Sequence, residues 1–573
     1  MSQLKVFVAR HPVPTYFALT FAISWGGLLA VGGLSGMSST TWQADPRLPF
    51  FVVAMLAGPS IAGLLLTALV SGRAGFRELL SRLLRCRVDA RWYAVALLTA
   101  PVVFITVHFA LSLASPVFRP SVFTTRDTAS VLLSAIAGAL AVGVFEELGW
   151  TGFAIPTLRA RYTALATALF VGVPWGAWHL LTNDVWIAKT YAGGLPLVLF
   201  VTLNGLSLVV GQLPAYRVLM VWVYDRTGSL LVAMLMHASL SACTFILGPS
   251  TLTGLGLVAY GFALAGAWWI IVAVFGLSLR YRRDLNAARA RLAAVKRHVI
   301  STRWGAVEYA ERGYGDPVLV VHGIFHNCVG GLLSVRDLFR DRRVIAPSRF
   351  GYLGSSMPPN ATPAAQADAF AALLDALDVD QIDVIGLSAG TTSALQLALR
   401  HPEKVKHLAV LVGNLPGSPT AVVQPSWAKR VNRQPIMWAL RTFAPSTMAR
   451  LVAAVPKGFV MTSEDARFVT EFIDSLFPVS PEGLSFDLYV SNTDVNDYNL
   501  EALTVPTVIV HTKDDQLASH EASQRAAERI PSARFVSLES GGHLMLGQTE
   551  IIRNELADFF AESRERRAER VAS

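Results

Sequence analysis

The sequence predicts two unlike halves: an all-α polytopic membrane bundle of about eight helices, then an α/β domain with a mainly parallel sheet and a helical cap. Three observations predict this. Hydrophobic residues make up 53% of the 573 and charged ones only 16%, and the apolar excess sits before about residue 280. That first stretch breaks into runs long enough to span a bilayer. The remainder has ordinary globular composition and alternates short apolar strands with helical stretches, the rhythm of a parallel sheet covered by helices on both faces.

The apolar runs fall at about 14–34, 49–71, 92–115, 128–150, 163–184, 195–215, 229–248 and 254–279. No small-residue cleavage site follows the first, which reads as a retained helix. Residues 72–91 carry Arg73, Arg77, Arg82, Arg85, Arg87 and Arg91. Arg280, Arg282 and Arg283 follow the last run, and Lys5 and Arg10 precede the first. The positive-inside rule puts all three clusters in the cytosol, which eight spans allow, with Arg159, Arg161, Arg217 and Arg226 on the same side. The expectation is a multi-pass protein of the cell membrane whose termini and second half are cytoplasmic. Residues 280–297 read as a basic linker lying near anionic headgroups. The net charge of +9 does not point to nucleic acid, because the arginines flank apolar runs. Cys86, Cys243 and Cys328 are far apart, with neither metal-ligand spacing nor an indicated disulfide.

Ionisable residues inside apolar runs are costly in lipid and face cavities or partners. Four stand out: Glu146, Glu147, His179 and His237. Two imidazoles on separate helices with a carboxylate suit a catalytic zinc, which lowers the pKa of water while a glutamate acts as base. The alternative leaves the glutamates at a helix end in headgroup water and the histidines on neighbouring carbonyls; His108, alone in its span, takes that reading. Depth opposes convergence. Glu146 and His179 each lie roughly ten ångströms from the midpoints of their runs, towards opposite ends. Meeting requires the fourth helix to pass Trp150 and the fifth to pass Thr182; Gly152-Phe153-Ala154-Ile155 and Val185-Trp186-Ile187 stay apolar enough for this.

Together these segments resemble the CAAX-protease and bacteriocin-processing (CPBP) family of intramembrane metalloproteases, across about residues 10–280. The family pattern is Glu-Glu-x-x-x-Arg, Phe-x-x-x-His and His-x-x-x-Asn on successive membrane helices. Here the places read Glu146-Glu147-Leu148-Gly149-Trp150-Thr151, Trp175-Gly176-Ala177-Trp178-His179 and His237-Ala238-Ser239-Leu240-Ser241. The resemblance implies that Glu146 activates water, that zinc sits between His179 and His237, and that Glu147 and Ser241 support them. It also implies a membrane-protein or prenylated-peptide substrate. Thr151, Ser241 and Trp175 stand where the pattern has arginine, asparagine and phenylalanine, so the shell around the ion is altered.

In the second half, residues 298–312 read as a hairpin and Val318-Leu319-Val320-Val321 as a buried strand ending in His322-Gly323. Arg343-Val344-Ile345-Ala346 is another strand, followed by the loop from Arg349 to Ser356 and a helix over about 363–378. Val384 and Ile385 then run into Gly386-Leu387-Ser388-Ala389-Gly390, with helix formers from Ala394 onward. A strand-to-helix turn this tight admits only small residues beside the serine, hence Gly386 and Gly390, and presents the hydroxyl at a helix N-terminus. Val405 to Val412 and Thr507 to His511 are further strands. Asp514 and Asp515 follow the latter, and Gly541-Gly542-His543 lies near the end. The order nucleophile, acid, histidine allows His543 to remove the Ser388 proton while an aspartate orients the imidazolium; either aspartate serves.

Residues 298–565 thereby resemble the α/β-hydrolase superfamily. The resemblance implies Asp515 as the acid, with Asp514 the fallback, because the family's acid lies a few residues beyond the strand end. It implies an oxyanion hole from the backbone N–H groups of Ile324 and Ala389. It also implies a substrate-selecting cap over about 415–500, where Trp427, Trp438, Phe443, Phe459, Phe472 and Phe477 interrupt the strand rhythm. No cofactor is expected in this half, and the substrate is a small-molecule or lipid-like ester, thioester or amide. Residues 566–573 form a charged tail expected to fray. The leading expectation is a membrane-anchored serine hydrolase fused to a CPBP-type zinc protease or its relic. One alternative has only the membrane half active; another is a non-catalytic membrane scaffold or immunity protein.

Overall fold

The computed structural model describes residues 3–36, 45–123, 127–186, 191, 194–248, 252–425 and 433–572. The chain divides into two compact units, Met1–Ser278 and Leu279–Ser573, with the boundary inside the helix Gly254–Ala294. Most of the stretch expected as a linker is therefore helical and belongs to the second unit. There Tyr281 and Ala288 join the apolar cluster around Trp438, whose indole N–H donates to Asp284 at 3.1 Å.

In the first unit and the helix that leaves it, seven helices among the described residues are long and apolar enough to cross a membrane. They are Pro12–Ser35, Leu48–Leu83, Ala90–Ala114, Thr128–Arg159, Leu197–Thr227, Leu230–Leu247 and Gly254–Ala294. The expectation of eight full spans is corrected at the fifth. Ala164–Trp178 has 15 residues, about 22 Å of helix against a hydrocarbon core of about 30 Å. It ends at Trp178, and a π turn, Leu181–Val185, follows close behind His179. Ile187, expected to extend it, lies outside the described residues. The fourth helix does pass Trp150: Thr128–Gly149 leads through a π turn, Trp150–Ala154, into Ile155–Arg159. The arginine-rich loop at 72–91 is partly helix as well, because Leu48–Leu83 continues after a break at Gly72. Arg217, placed by sequence in a cytosolic loop, lies within the helix Leu213–Thr227 with its side chain fully buried.

Close backbone packing sets the registers that matter here. A Cβ on Gly143 would stand 2.5 Å from the Met234 carbonyl oxygen, so the helices Thr128–Gly149 and Leu230–Leu247 meet backbone to backbone. One turn on from that contact, Glu146 and Glu147 face His237.

The second unit is built on eight strands: β1 (His298–Thr302), β2 (Gly305–Arg312), β3 (Pro317–Val321), β4 (Arg343–Pro347), β5 (Ile382–Leu387), β6 (Val405–Leu411), β7 (Thr507–Thr512) and β8 (Ala533–Leu538). Their order is β1-β2-β4-β3-β5-β6-β7-β8. The β1–β2 hairpin adds antiparallel to β4, and all pairings from β4 to β8 are parallel. Strands buried on both faces read as unbroken apolar runs, and successive side chains alternate between two cores. Leu319, Val321, Val384, Leu408, Val410 and Ile509 pack beneath the helices Pro363–Ala376 and Thr391–Arg400. Val318, Val320, Ile385, Ala409, Val508 and Val510 pack with Leu556 and Phe559 of the C-terminal helix on the other side.

That last helix, Thr549–Ala572, runs through most of the tail expected to fray; the side chains from 562 onward lie outside those described. Between β6 and β7 the helices Gln434–Phe443, Pro445–Ala453 and Ser463–Ser475 form the cap, the third opened by a Thr462–Asp465 capping box. Trp438 and Phe477 are buried in it while Phe443 is exposed, and Trp427 lies outside the described residues. The sheet order places the C-terminal ends of β5, β7 and β8 close together, where an open parallel sheet holds its reacting groups.

Candidate functional site

Ser388 follows β5 directly and has φ 49°, a backbone conformation that L-residues seldom adopt and that sharp nucleophile turns impose. Its two glycines are steric necessities. A Cβ on Gly390 would stand 2.3 Å from the Val321 carbonyl oxygen, and one on Gly386 2.9 Å from the Thr391 Cα. Ser388 Oγ donates to His543 Nε2 at 2.8 Å, and His543 Nδ1 donates to Asp515 Oδ2 at 2.7 Å. The Asp515 side chain is fully buried and His543 nearly so. Burial pushes the Asp515 carboxyl up, but the charge of His543, the close approach of His511 and hydrogen bonds from His543 and the Leu517 N–H outweigh it and hold the group well below the ordinary carboxylate range.

Asp514 has a different partner set. Its carboxylate accepts the N–H groups of Gly541 at 3.1 Å and Gly542 at 2.8 Å, tying down the turn that carries His543. Asp515→Asn is therefore expected to lower kcat by about four orders of magnitude, by analogy with the loss of a histidine-orienting aspartate. Asp514→Asn should cost far less, because an amide oxygen still accepts one N–H. Steady-state kinetics on a short acyl ester checks the ranking, and the reverse ranking would transfer the role to Asp514.

Ala389 lies in the turn Ser388–Gly390 at the start of the helix Thr391–Arg400. Ile324 lies in the loop after His322-Gly323, and a Cβ on Gly323 would stand 3.1 Å from the Ser388 Cβ, so that loop runs hard against Ser388. Sequence reading missed Arg349. Its buried guanidinium donates to the Ala389 carbonyl at 2.9 Å and pairs with Asp487, which also accepts from the Tyr352 hydroxyl at 2.5 Å. It thereby ties the cap's π turn Asp487–Ser491 to the residue after Ser388.

In the first unit Glu146, His179, His237 and Ser241 line one cavity of about 300 Å³, with Trp175, Thr182 and Asn183. His237 Nε2 lies 3.9 Å from Glu146 Oε2. Both imidazoles are held through Nδ1: His179 on the Trp175 carbonyl at 2.9 Å, His237 on Glu147 at 2.7 Å. That is how ligating histidines are oriented, with Nε2 left to meet an ion. Glu146 accepts the indole N–H of Trp175 at 2.9 Å, so tryptophan at this place adds a donor that phenylalanine lacks. The donor types fit zinc; the spacing leaves the cluster open. Among the described residues no three His, Cys, Asp or Glu side chains stand close enough to enclose an ion.

Glu147 is the hub of the surrounding shell. It accepts from His237, from the Thr151 hydroxyl, and from Arg217 Nη1 at 2.9 and 3.0 Å. Arg217 also lies over the Trp175 ring, 4.1 Å from its centroid. The guanidinium missing at Thr151 is thus supplied from a separate helix. The signal was present in the sequence, as the one charge in the run Leu213-Pro214-Ala215-Tyr216-Arg217-Val218-Leu219-Met220.

Two family models match the chain: "alpha/beta hydrolase fold" over residues 316–548, and "Type II CAAX prenyl endopeptidase Rce1-like" over residues 128–243. Among curated proteins, the 2-hydroxymuconate semialdehyde hydrolase of Pseudomonas putida is 29% identical over 248 residues, which cover 41% of this chain and 82% of that protein. The "Putative carbamate hydrolase RutD" of Caulobacter vibrioides is 31% identical over 269 residues, covering 44% of this chain and 77% of that one. Among solved structures, an α/β-hydrolase fold protein from Nakamurella multipartita is 26% identical, covering 46% of this chain and 99% of that chain with a TM-score of 0.39.

Proposed function

Because the chain belongs to the α/β-hydrolase family through its second half, and carries an Rce1-like domain in its first, we propose that it is a membrane-anchored serine hydrolase acting on an ester, thioester or amide. The observation that carries this is the hydrogen-bonded line from Ser388 through His543 to Asp515. Ser388 Oγ attacks the acyl carbon while His543 Nε2 takes its proton; Asp515 stabilises the resulting imidazolium. His543 then returns the proton to the leaving group, and water repeats the sequence to release the acid. The Ala389 and Ile324 N–H groups are proposed to meet the oxyanion. An apolar cluster in which Ile324, Phe325 and Leu544 pack with Phe459, Phe472 and Phe477 of the cap favours a hydrophobic acyl group over a charged one. A fluorophosphonate probe should label the intact protein, with the adduct mapping to Ser388. A protein that stays unlabelled would remove the reading and leave the second half without hydrolytic chemistry.

A second reading is favoured by one further observation, the convergence of Glu146, His179 and His237 on one cavity. In it the membrane half is a CPBP-type metalloendopeptidase for a membrane protein or a prenylated peptide. His179 and His237 would hold zinc through Nε2, with Glu146 positioned to take a proton. Bound there, zinc supplies a Lewis acid that makes water a nucleophile near neutral pH. Protein purified without chelators should contain near-stoichiometric zinc that falls sharply in the His179→Ala, His237→Ala double mutant. Metal-free wild type, or unchanged content in the double mutant, would leave this half an anchor.

A further inference from the structure

A second imidazole touches the carboxylate of the triad. His511, at the end of β7, is fully buried. Its Nδ1 lies 2.7 Å from the hydroxyl of Ser523 on the helix His520–Arg529. Its Nε2 lies 3.2 Å from Asp515 Oδ2, the same oxygen that His543 Nδ1 reaches at 2.7 Å. The Nε2 contact is longer than a well-formed hydrogen bond to a carboxylate, and Nε2 has no other partner among the described residues. Contacts of this kind in a resting site tighten as charge develops.

We propose that His511 and Ser523 form a mirror image of the His543–Ser388 pair about Asp515, and that His511 is a positioning residue that tempers the pull of Asp515 on His543. The inference rests on the serine-hydrolase reading of Ser388, His543 and Asp515. The tautomer follows from the partners. A carboxylate only accepts, so His511 turns its N–H toward Asp515 through Nε2, and Ser523 donates to the bare Nδ1. Donors then run inward from both ends, Ser388 to His543 to Asp515 and Ser523 to His511 to Asp515. Asp515 Oδ1 is engaged by the N–H groups of Leu517 at 2.7 Å and Ala518 at 3.1 Å. Each donor spreads the carboxylate charge, so an extra one on Oδ2 lessens the stabilisation left for the imidazolium of His543.

Few other groups bear on His511. His520 approaches with ring centroids 6.1 Å apart, its Nε2 on the Ser537 hydroxyl at 2.8 Å. Lys513, Glu521 and Glu539 bear on His520, and Lys513 is itself paired with Glu539 at 2.5 Å. No hydrogen bond among the described residues joins His511 or Ser523 to Ser388 or His543, so a loss of packing alone would lower the rate without moving its pH dependence.

The test is the pH profile of kcat/KM on a short acyl ester, measured on the intact protein. In His511→Leu the acidic limb should move to higher pH by on the order of one unit, as the undivided Asp515 charge favours the protonated form of His543. Ser523→Ala should move it the same way by less, because an imidazole whose Nδ1 no longer accepts from a hydroxyl is a weaker N–H donor to Asp515. His511→Gln, which keeps an N–H donor near the place of Nε2, should return the limb towards wild type. Limbs of His511→Leu and Ser523→Ala that coincide with wild type, in proteins still labelled at Ser388, would overturn the inference alone. Wild type that takes no label at Ser388 would remove the triad and this inference with it. Should His511→Leu fail to fold, Ser523→Ala decides.

Discussion

Ser388→Ala is expected to cut turnover of a short acyl ester by about six orders of magnitude, the scale on which loss of a triad nucleophile is felt. The change removes one oxygen from a partly exposed side chain and alters no apolar packing. The substituted alanine would inherit the same φ of 49°, so the turn keeps its geometry and its strain. The hydrogen bond lost is the one to His543 Nε2, and His543 stays anchored by Asp515. Folding and membrane insertion should therefore match wild type, separating chemistry from stability within one variant. Retention of even a tenth of wild-type turnover would place the nucleophile elsewhere.

Arg217→Met should strongly destabilise the first unit. Arg217 and Glu147 are both fully buried, and their ion pair lies at 2.9 Å. Removing one partner of such a pair leaves an uncompensated charge in a low-dielectric interior, at about 3–5 kcal/mol. That corresponds to a melting temperature lower by roughly ten degrees for a unit of this size. The loss reaches the cavity, because Glu147 also holds His237. The Glu147→Gln, Arg217→Met double mutant should be more stable than Arg217→Met alone, since no isolated charge remains and Gln can still accept from His237 and Thr151. Thermal unfolding of the intact protein in detergent or nanodiscs measures both. A single mutant that melts with wild type, or a double mutant less stable than the single, would mean that Arg217 does not balance Glu147.

The two predictions mark different depths of legibility. The Ser388 turn could be read in the sequence because its constraints are local: a strand, two glycines where side chains collide, and a helix, consecutive from Ile382 to Arg400. The remaining partners came from chain order. The family resemblance already favoured Asp515 over Asp514; the physical reason lies in the tertiary structure, where neighbouring residues leave the strand end in different directions and Asp515 reaches His543 while Asp514 accepts from Gly541 and Gly542. β8 went unread. Its Ala-Arg-Phe-Val-Ser-Leu pattern is weak for a strand, and what makes it one is pairing with β7, residue for residue from Thr507↔Ala533.

In the first half, composition alone determined that apolar helices of bilayer length dominate, because lipid demands long unbroken runs and the sequence must show them. It also picked out Glu146, His179 and His237, since ionisable groups in such runs are rare. Their depths along straight helices argued against meeting, yet they line one cavity. The fifth helix is short, and the fourth bends through a π turn, so equal steps along the chain do not give equal steps in depth. Arg217 and Glu147, like His511 and Asp515, are pairs that no local pattern announces. A buried charge or imidazole is tolerated only beside its partner, and which residue becomes that partner is settled by how helices and strands distant in sequence pack together.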